Sequence, residues 1–345
     1  MDRDGFRRYL KGRGVSEDGI EPSLEVAEEF EAFLKRRGRA GSLAKARPQD
    51  AAAFIAGLIE GKTNTLDRLI ALARYAWFAG NREVYVAVLE TIDGAEALDN
   101  LYAKLERELG KKARDEIFDG VALPPLGTPS SEKPPLTQKV LERLERKVGP
   151  ERCRRLLGDS LRTLPDEGYL AEKEKYEEAG SLDTYLERKG EDFVALLESL
   201  EAEKEFFFSQ EITDEVIDYV KSHPEVMQGV RKGNVLYEAK IPYMAKEYLA
   251  ESDPRMKAYY YCHCPWVRES IRTGSAKVPP IFCNCSAGFH KRAYEVIFGR
   301  RLRAEVLETV LQGDPWCRFA ITLPEGTVTS GLGSSSQSEG KEASG

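Results

Sequence analysis

Residues 259–324 read YYYCHCPWVRESIRTGSAKVPPIFCNCSAGFHKRAYEVIFGRRLRAEVLETVLQGDPWCRFAITLP. Five of the chain's six cysteines lie here, Cys262, Cys264, Cys283, Cys285 and Cys317, with two of its three histidines, His263 and His290. The spacing is Cys262-x-Cys264, eighteen residues, Cys283-x-Cys285, then thirty-one residues to Cys317. Two thiol pairs joined by a reversing segment such as RTGSAKVPP are the usual way to bring four sulfurs to one tetrahedral ion, and zinc prefers thiolate and imidazole donors. Cys262, Cys264, Cys283, Cys285 and Cys317 are therefore the candidate metal ligands and zinc the candidate cofactor. Two other readings stay open: a reactive thiol without metal, and cysteines buried as small hydrophobes.

The reactive-thiol reading has local support. Cys283-Asn284-Cys285-Ser286 runs into an expected helix, Ala287 to Phe298, whose apolar face holds Phe289, Ala293, Val296 and Ile297 and whose outer face holds the pair Lys291–Glu295. Ser286 suits the N-cap position. Cys285 would then lie at the positive end of the helix dipole beside His290 and Lys291, where thiolate is favoured over thiol. Glu269 and Glu295 are the candidate proton carriers beside Cys285. Trp266, His290 and Arg292 are the candidate ligand-binding residues. Trp266 and Tyr259–Tyr261 wall a pocket or fill the core.

After Gly299, Leu302, Ala304 and Val306 alternate as a strand, Gln312–Pro315 turn, and Cys317, Phe319, Ile321 and Leu323 alternate on one face of a second strand. An antiparallel hairpin is expected, preceded by a strand over Asn234–Ile241. Residues 229–324 thus read as an α/β unit.

Upstream the chain is helical. Leu24, Ala27, Phe30, Phe33 and Leu34 form one helix face, with Pro22 and Ser23 at its expected start. Further helices are expected at Pro48–Ile59, with Pro48 in the first turn, and at Thr65–Phe78. More follow over Arg82–Ile92 and Ala95–Glu108. Residues 119–135, DGVALPPLGTPSSEKPP, read as a linker between a 1–118 helical bundle and a 136–228 helical region. In the latter, Asp192–Phe208 is expected to be helical and Phe206–Phe208 to pack in the core. Cys153, beside three arginines, reads as a buried or bland cysteine. Residues 325–345 are Gly/Ser-rich and apolar-poor, which predicts a disordered tail. The expected class is α+β: helical N-terminal regions followed by a C-terminal α/β ligand-binding domain.

The 345 residues carry a net charge of -7, with 41% hydrophobic and 32% charged residues. The acidic balance argues against a nucleic-acid partner, which needs a basic surface. No apolar run of membrane-spanning length exists, and the first residues lack the apolar core of a signal peptide. A cytoplasmic location and reduced thiols are therefore expected.

Two resemblances add to this. TLDRLIALARYAWFAGN, residues 65–81, resembles the small helical bundle that precedes the catalytic domain of tyrosine recombinases, but no Arg…His-x-x-Arg…Tyr arrangement follows. Glu295, Phe298-Gly299, the strand Leu302–Leu311, Gly313-Asp314 and Cys317-Arg318-Phe319 resemble the C-terminal signature of the four-vinyl reductase-type small-molecule-binding domain. They are similar also to the related family that includes L-2-amino-thiazoline-4-carboxylic acid hydrolases. The resemblance covers residues 229–324 and implies an αβ pocket with Cys285, Glu295 and Cys317 at its wall, a metal among its contents, and a small-molecule ligand. The leading expectation is a small-molecule-binding protein with a cysteine-lined zinc site, its helical N-terminal part serving homodimerisation or signal relay. The alternative is a hydrolase of the C–N bond of a small cyclic amidine, with Cys285 or a metal-bound water attacking and Glu295 or Glu269 moving protons. A DNA-binding regulator acting through the N-terminal bundle is the third.

Overall fold

A computed structural model describes residues 1–38, 43–159, 161–163 and 165–326. The tail predicted over 325–345 lies outside the described residues beyond Gly326.

The first five helices are α1 (Arg3–Gly12), α2 (Glu17–Arg36), α3 (Pro48–Glu60), α4 (Leu66–Phe78) and α5 (Arg82–Ile92). They bury Phe6, Phe30, Leu72 and Val84 in one apolar core. α3 and α4 begin where the caps predict: Pro48 opens α3, and the Thr65 hydroxyl accepts the Arg68 amide N–H at the start of α4. α2 does not begin at Pro22. It starts at Glu17 with Ser16 extended before it, and Pro22 sits inside. The buried stripe Ile20, Leu24, Ala27, Phe30 and Leu34 carries the helix through the missing N–H.

Next come α6 (Ala97–Leu109), α7 (Lys111–Ile117), α8 (Lys133–Val148) and α9 (Pro150–Leu157). The segment 119–135 is not a free linker. Val121, Thr128 and Ser130 are buried, Gly127 lies against Ile55 of α3, and α8 already starts at Lys133. Pro134 and Pro135 stand in the first turn of α8, where the ring fits and no N–H is missed. Leu101, Leu105, Leu144 and Cys153 share one core with Trp266, Phe282 and Phe319, so α6–α9 pack directly on the cysteine-rich segment.

α10 (Glu167–Ala179) and α11 (Leu182–Glu203) follow, then a hairpin of β1 (Phe206–Phe207) and β2 (Gln210–Glu211), and α12 (Asp214–Ser222). The expected helix to Phe208 thus ends at Glu203. Phe208 does not pack in the core: it sits at the hairpin turn with φ +54° and is 75% exposed. On this helix Leu196 is exposed, while Leu197 is buried.

The C-terminal part holds β3 (Val230–Lys232), β4 (Val235–Ala239), α13 (Ala245–Ala250), α14 (Pro254–Tyr261), α15 (Arg268–Thr273), α16 (Asn284–Phe298), β5 (Arg303–Glu308) and β6 (Arg318–Thr322). The four strands form one antiparallel sheet in the order β3-β4-β6-β5. The hairpin of β5 and β6 is as the alternation predicts, with Ala304 opposite Ile321. The fold is α+β, helical ahead of a small antiparallel sheet. Among the described residues no helix is long and apolar enough to cross a membrane.

Candidate thiol site

The residues nearest the cysteines lie on β4 and just past its end. Leu236, Glu238 and Lys240 follow one another at every second position, so they share a strand face. Leu236 and Glu238 are buried. Lys240 is the residue that ties the cysteine-bearing elements together. Its amide N–H donates to the carbonyl of Cys317 at 3.3 Å. Its own carbonyl accepts the Tyr261 hydroxyl at 2.5 Å, one residue before Cys262. Its ammonium donates to the Ser286 hydroxyl at 3.1 Å, one residue after Cys285. The next carbonyl, of Ile241, accepts Nε2–H of His263 at 2.6 Å.

Around this residue the thiols meet. The Cys264 thiol feels those of Cys262, Cys285 and Cys283, and the Cys283 thiol feels those of Cys317 and Cys262. The buried Thr309 hydroxyl lies 3.1 Å from the Cys283 sulfur and 3.8 Å from that of Cys317. Cys285 accepts the Leu161 amide N–H at 3.3 Å. Positions 262, 264, 283, 285 and 317 thus lie in one region of the fold, but among the described residues no three of them are grouped to hold a metal. Cys153 stays apart in the aliphatic core, its thiol pushed up to about 12 by burial.

Burial decides the protonation of the site. It raises the thiols of all five cysteines, Cys262 to about 11. Cys285 is therefore not the activated thiolate that a helix start alone suggests. α16 begins at Asn284, so Cys285 lies inside its first turn. Removal from water there outweighs the Leu161 N–H, Lys240 and Arg162. Burial favours the neutral form of both imidazoles. Burial, then Lys240, takes His263 down to about 3. Burial likewise lowers His290. Each has one nitrogen committed: Nε2–H of His263 to Ile241, Nδ1–H of His290 to Glu238 at 2.9 Å. The other nitrogen of each is left with a lone pair.

Glu238 is the functional residue that sequence reasoning passed over. Its carboxylate accepts Lys189 Nζ at 2.9 Å, the Tyr294 hydroxyl at 2.6 Å and the His290 imidazole. Burial pushes its carboxyl up, but Lys189, His290 and Tyr294 bring it down to about 2. With His290 neutral, Lys189 is the countercharge that keeps it ionised. A carboxylate on the inward face of an alternating strand is the signal that would have found it.

Other candidates are placed elsewhere. Glu295 lies ten residues beyond Cys285 on one helix, about 15 Å along its axis. It pairs with Lys291 at 2.9 Å and accepts the Leu302 amide N–H, and both members of the pair are buried rather than on the outer face. Glu269 accepts the Tyr259 hydroxyl at 3.0 Å and pairs with Arg272. Neither carboxylate is set to move a proton at Cys285. Arg292 pairs with Asp166 and Glu295. Trp266 fills the core, its Nε1–H donating to the Gly94 carbonyl at 2.7 Å.

The donor chemistry suits a soft cation: five sulfurs and two neutral imidazoles. Among the described residues no three His, Cys, Asp or Glu side chains are yet grouped as a bound metal needs. Compared with family models, with curated proteins and with solved structures, the chain matches none. Its function has to be read from this site.

Proposed function

We propose that the chain is a binding protein whose C-terminal unit takes up a thiophilic divalent metal, zinc first, at Cys262, Cys264, Cys283, Cys285 and Cys317. The observation that carries this is the approach of five cysteines from three separate stretches to the backbone and side chain of one lysine. Cysteines kept only as small hydrophobes do not need a cation and two neutral imidazoles among them. Four of the sulfurs would hold the ion, and His263 or His290 offers a free lone pair to it. When bound, the metal would supply a Lewis-acidic centre to a small-molecule ligand of the kind the four-vinyl reductase-type likeness suggests. The protein's part is to hold the donors, exclude water and give up the thiol protons as the metal enters. A hydrolytic reading has to run on Cys285 or the metal alone, since Glu269 and Glu295 are engaged elsewhere.

The test is metal content. Protein purified anaerobically, or refilled with zinc and desalted, is measured by plasma mass spectrometry, and reagent-accessible thiols are counted with and without chelator. Near-stoichiometric zinc is expected, lost on Cys264→Ser with Cys283→Ser and kept on Cys153→Ser. Metal-free protein after refilling ends the proposal.

A further inference from the structure

Residues 167–203, from the start of α10 to the end of α11, hold twelve acidic and four basic residues, a net charge of -8. The whole chain carries -7. This stretch therefore holds all of the protein's negative excess, and the remainder is close to neutral. A groove of about 470 Å³ opens beside α11. Its apolar lining comes from Phe193 and Val194 of α11, Val220 of α12, and Val226. All four belong to the small core that holds Leu197 and Ile241, so the groove is where that core reaches the surface. Glu187, Glu191 and Glu198 line it from one face of α11, at spacings of four and seven residues.

Glu198 is met by Lys221 of α12 at 2.8 Å. Glu187 and Glu191 are exposed and, among the described residues, have no ion-pair partner, while cations on the same two helices are engaged elsewhere: Lys175 with Asp192 at 3.0 Å, Lys189 with Glu238 at 2.9 Å. Like charges four residues apart oppose the helix that carries them, so this pair is unfavourable until a cation comes from outside. Gly190 stands between them. A Cβ there would lie 2.4 Å from Oε1 of Gln228, so the bare backbone is what lets this carboxamide line the groove.

We propose that this groove docks a basic segment of a partner protein, which seats an aliphatic side chain on Val194, Val220 and Val226 and sets lysine or arginine against Glu187 and Glu191. Charge complementarity selects the occupant: a field of this sign repels nucleic acid and anionic membrane surfaces and draws polycations. The apolar lining selects a peptide over a bare polycation, because a hydrated polyamine gains nothing from valine and phenylalanine. The volume is that of a small ligand site, enough for an anchor residue and its neighbours. The proposal does not depend on the metal reading.

The experiment is fluorescence anisotropy on the full chain with a labelled synthetic peptide in which leucines alternate with pairs of lysine and arginine. A control peptide carries serine for leucine. The proteins are wild type, Glu187→Gln with Glu191→Gln, Val194→Ser, and Glu174→Gln with Glu178→Gln. The last pair removes the same charge from exposed positions of α10 outside the groove lining. Wild type is expected to bind the leucine peptide in the micromolar range, more weakly as salt rises, and the serine peptide far less. The Glu187/Glu191 variant and Val194→Ser should each lose about tenfold or more, and the α10 variant should stay within about threefold. Thermal melts should place the Glu187/Glu191 variant at or above wild type, because it relieves a like-charge pair, so its lost binding is not lost folding. No binding by wild type overturns the proposal. So does an α10 variant that loses as much as the Glu187/Glu191 variant, or a serine peptide that binds as well as the leucine one, since either outcome means charge attraction alone.

Discussion

Replacing Glu238 by glutamine keeps the side chain's shape and removes its charge. In the native chain one carboxylate oxygen accepts Lys189 and Tyr294, and the other accepts His290. An amide presents one oxygen and one NH2. Turned with its NH2 toward His290, the amide can be met by the other imidazole tautomer, but in either orientation the Lys189 ammonium loses its countercharge. Breaking a buried ion pair by removing one partner costs about 3–5 kcal/mol. Lys189 is 24% exposed and can recover some hydration, which places the loss at the low end, about 3 kcal/mol. For a chain this long that is roughly 6 °C in the melting midpoint. The assay is urea unfolding of wild type, Glu238→Gln, Lys189→Met and the double variant. The cycle should return a coupling of at least about 1 kcal/mol between the two sites. A Glu238→Gln variant within about 0.5 kcal/mol of wild type, or a coupling of zero, would falsify the claim that this network holds the sheet and α16 together.

The same carboxylate gives a pH signature. Its folded-state pKa, about 2, is below the ordinary glutamate value of about 4.3. The stability it contributes is therefore fully present above that ordinary value and is lost as pH falls toward 2. Acid titration of wild type should show this limb, and Glu238→Gln should flatten it; parallel curves would count against the assignment. Cys153→Ser places a hydroxyl in an aliphatic core and should cost about 1–3 kcal/mol by chemical denaturation, with zinc content unchanged. Gly127→Ala puts a Cβ 2.7 Å from Ile55 at φ +95°. It should cost about 1–3 kcal/mol and loosen the 119–135 segment, seen as faster hydrogen exchange around Val121 and Thr128.

Where a local pattern had one reading, it was legible. Thr65 ahead of an apolar stripe reads as a cap, Pro48 stands directly before such a stripe, and the β5–β6 alternation has no helical alternative. Failures came where one residue type serves two ends. Proline both breaks and starts helices, so 119–135 looked like a linker although Pro134 and Pro135 sit in the first turn of α8. Pro22 looked like a helix start because the packing that tolerates it inside α2 comes from helices elsewhere in the chain. The Phe206–Phe208 run reads as core by hydrophobicity alone. Only the hairpin's reversal, with Phe208 in a left-handed conformation, sends its third ring outward.

The site divides the same way, and the division explains what kind of site it is. The cysteines announce themselves by type and spacing. The charged residues of this region, Lys133, Glu238 and Lys240, are single positions in ordinary-looking stretches, and their significance exists only after folding. β4 carries Glu238 on the face of Leu236, where an apolar side chain is expected, and pairing of β4 with β6 brings Lys240, one residue past the strand's end, to the Cys317 carbonyl. Lys133 arrives from more than a hundred residues upstream. A cluster of neutral thiols needs none of these, since burial alone keeps the thiols protonated. The two lysines are not equivalent: Lys133 is buried with no hydrogen-bond partner for its ammonium, whereas Lys240 is only partly buried and donates to the Ser286 hydroxyl, so only Lys133 carries a burial cost that no hydrogen bond offsets.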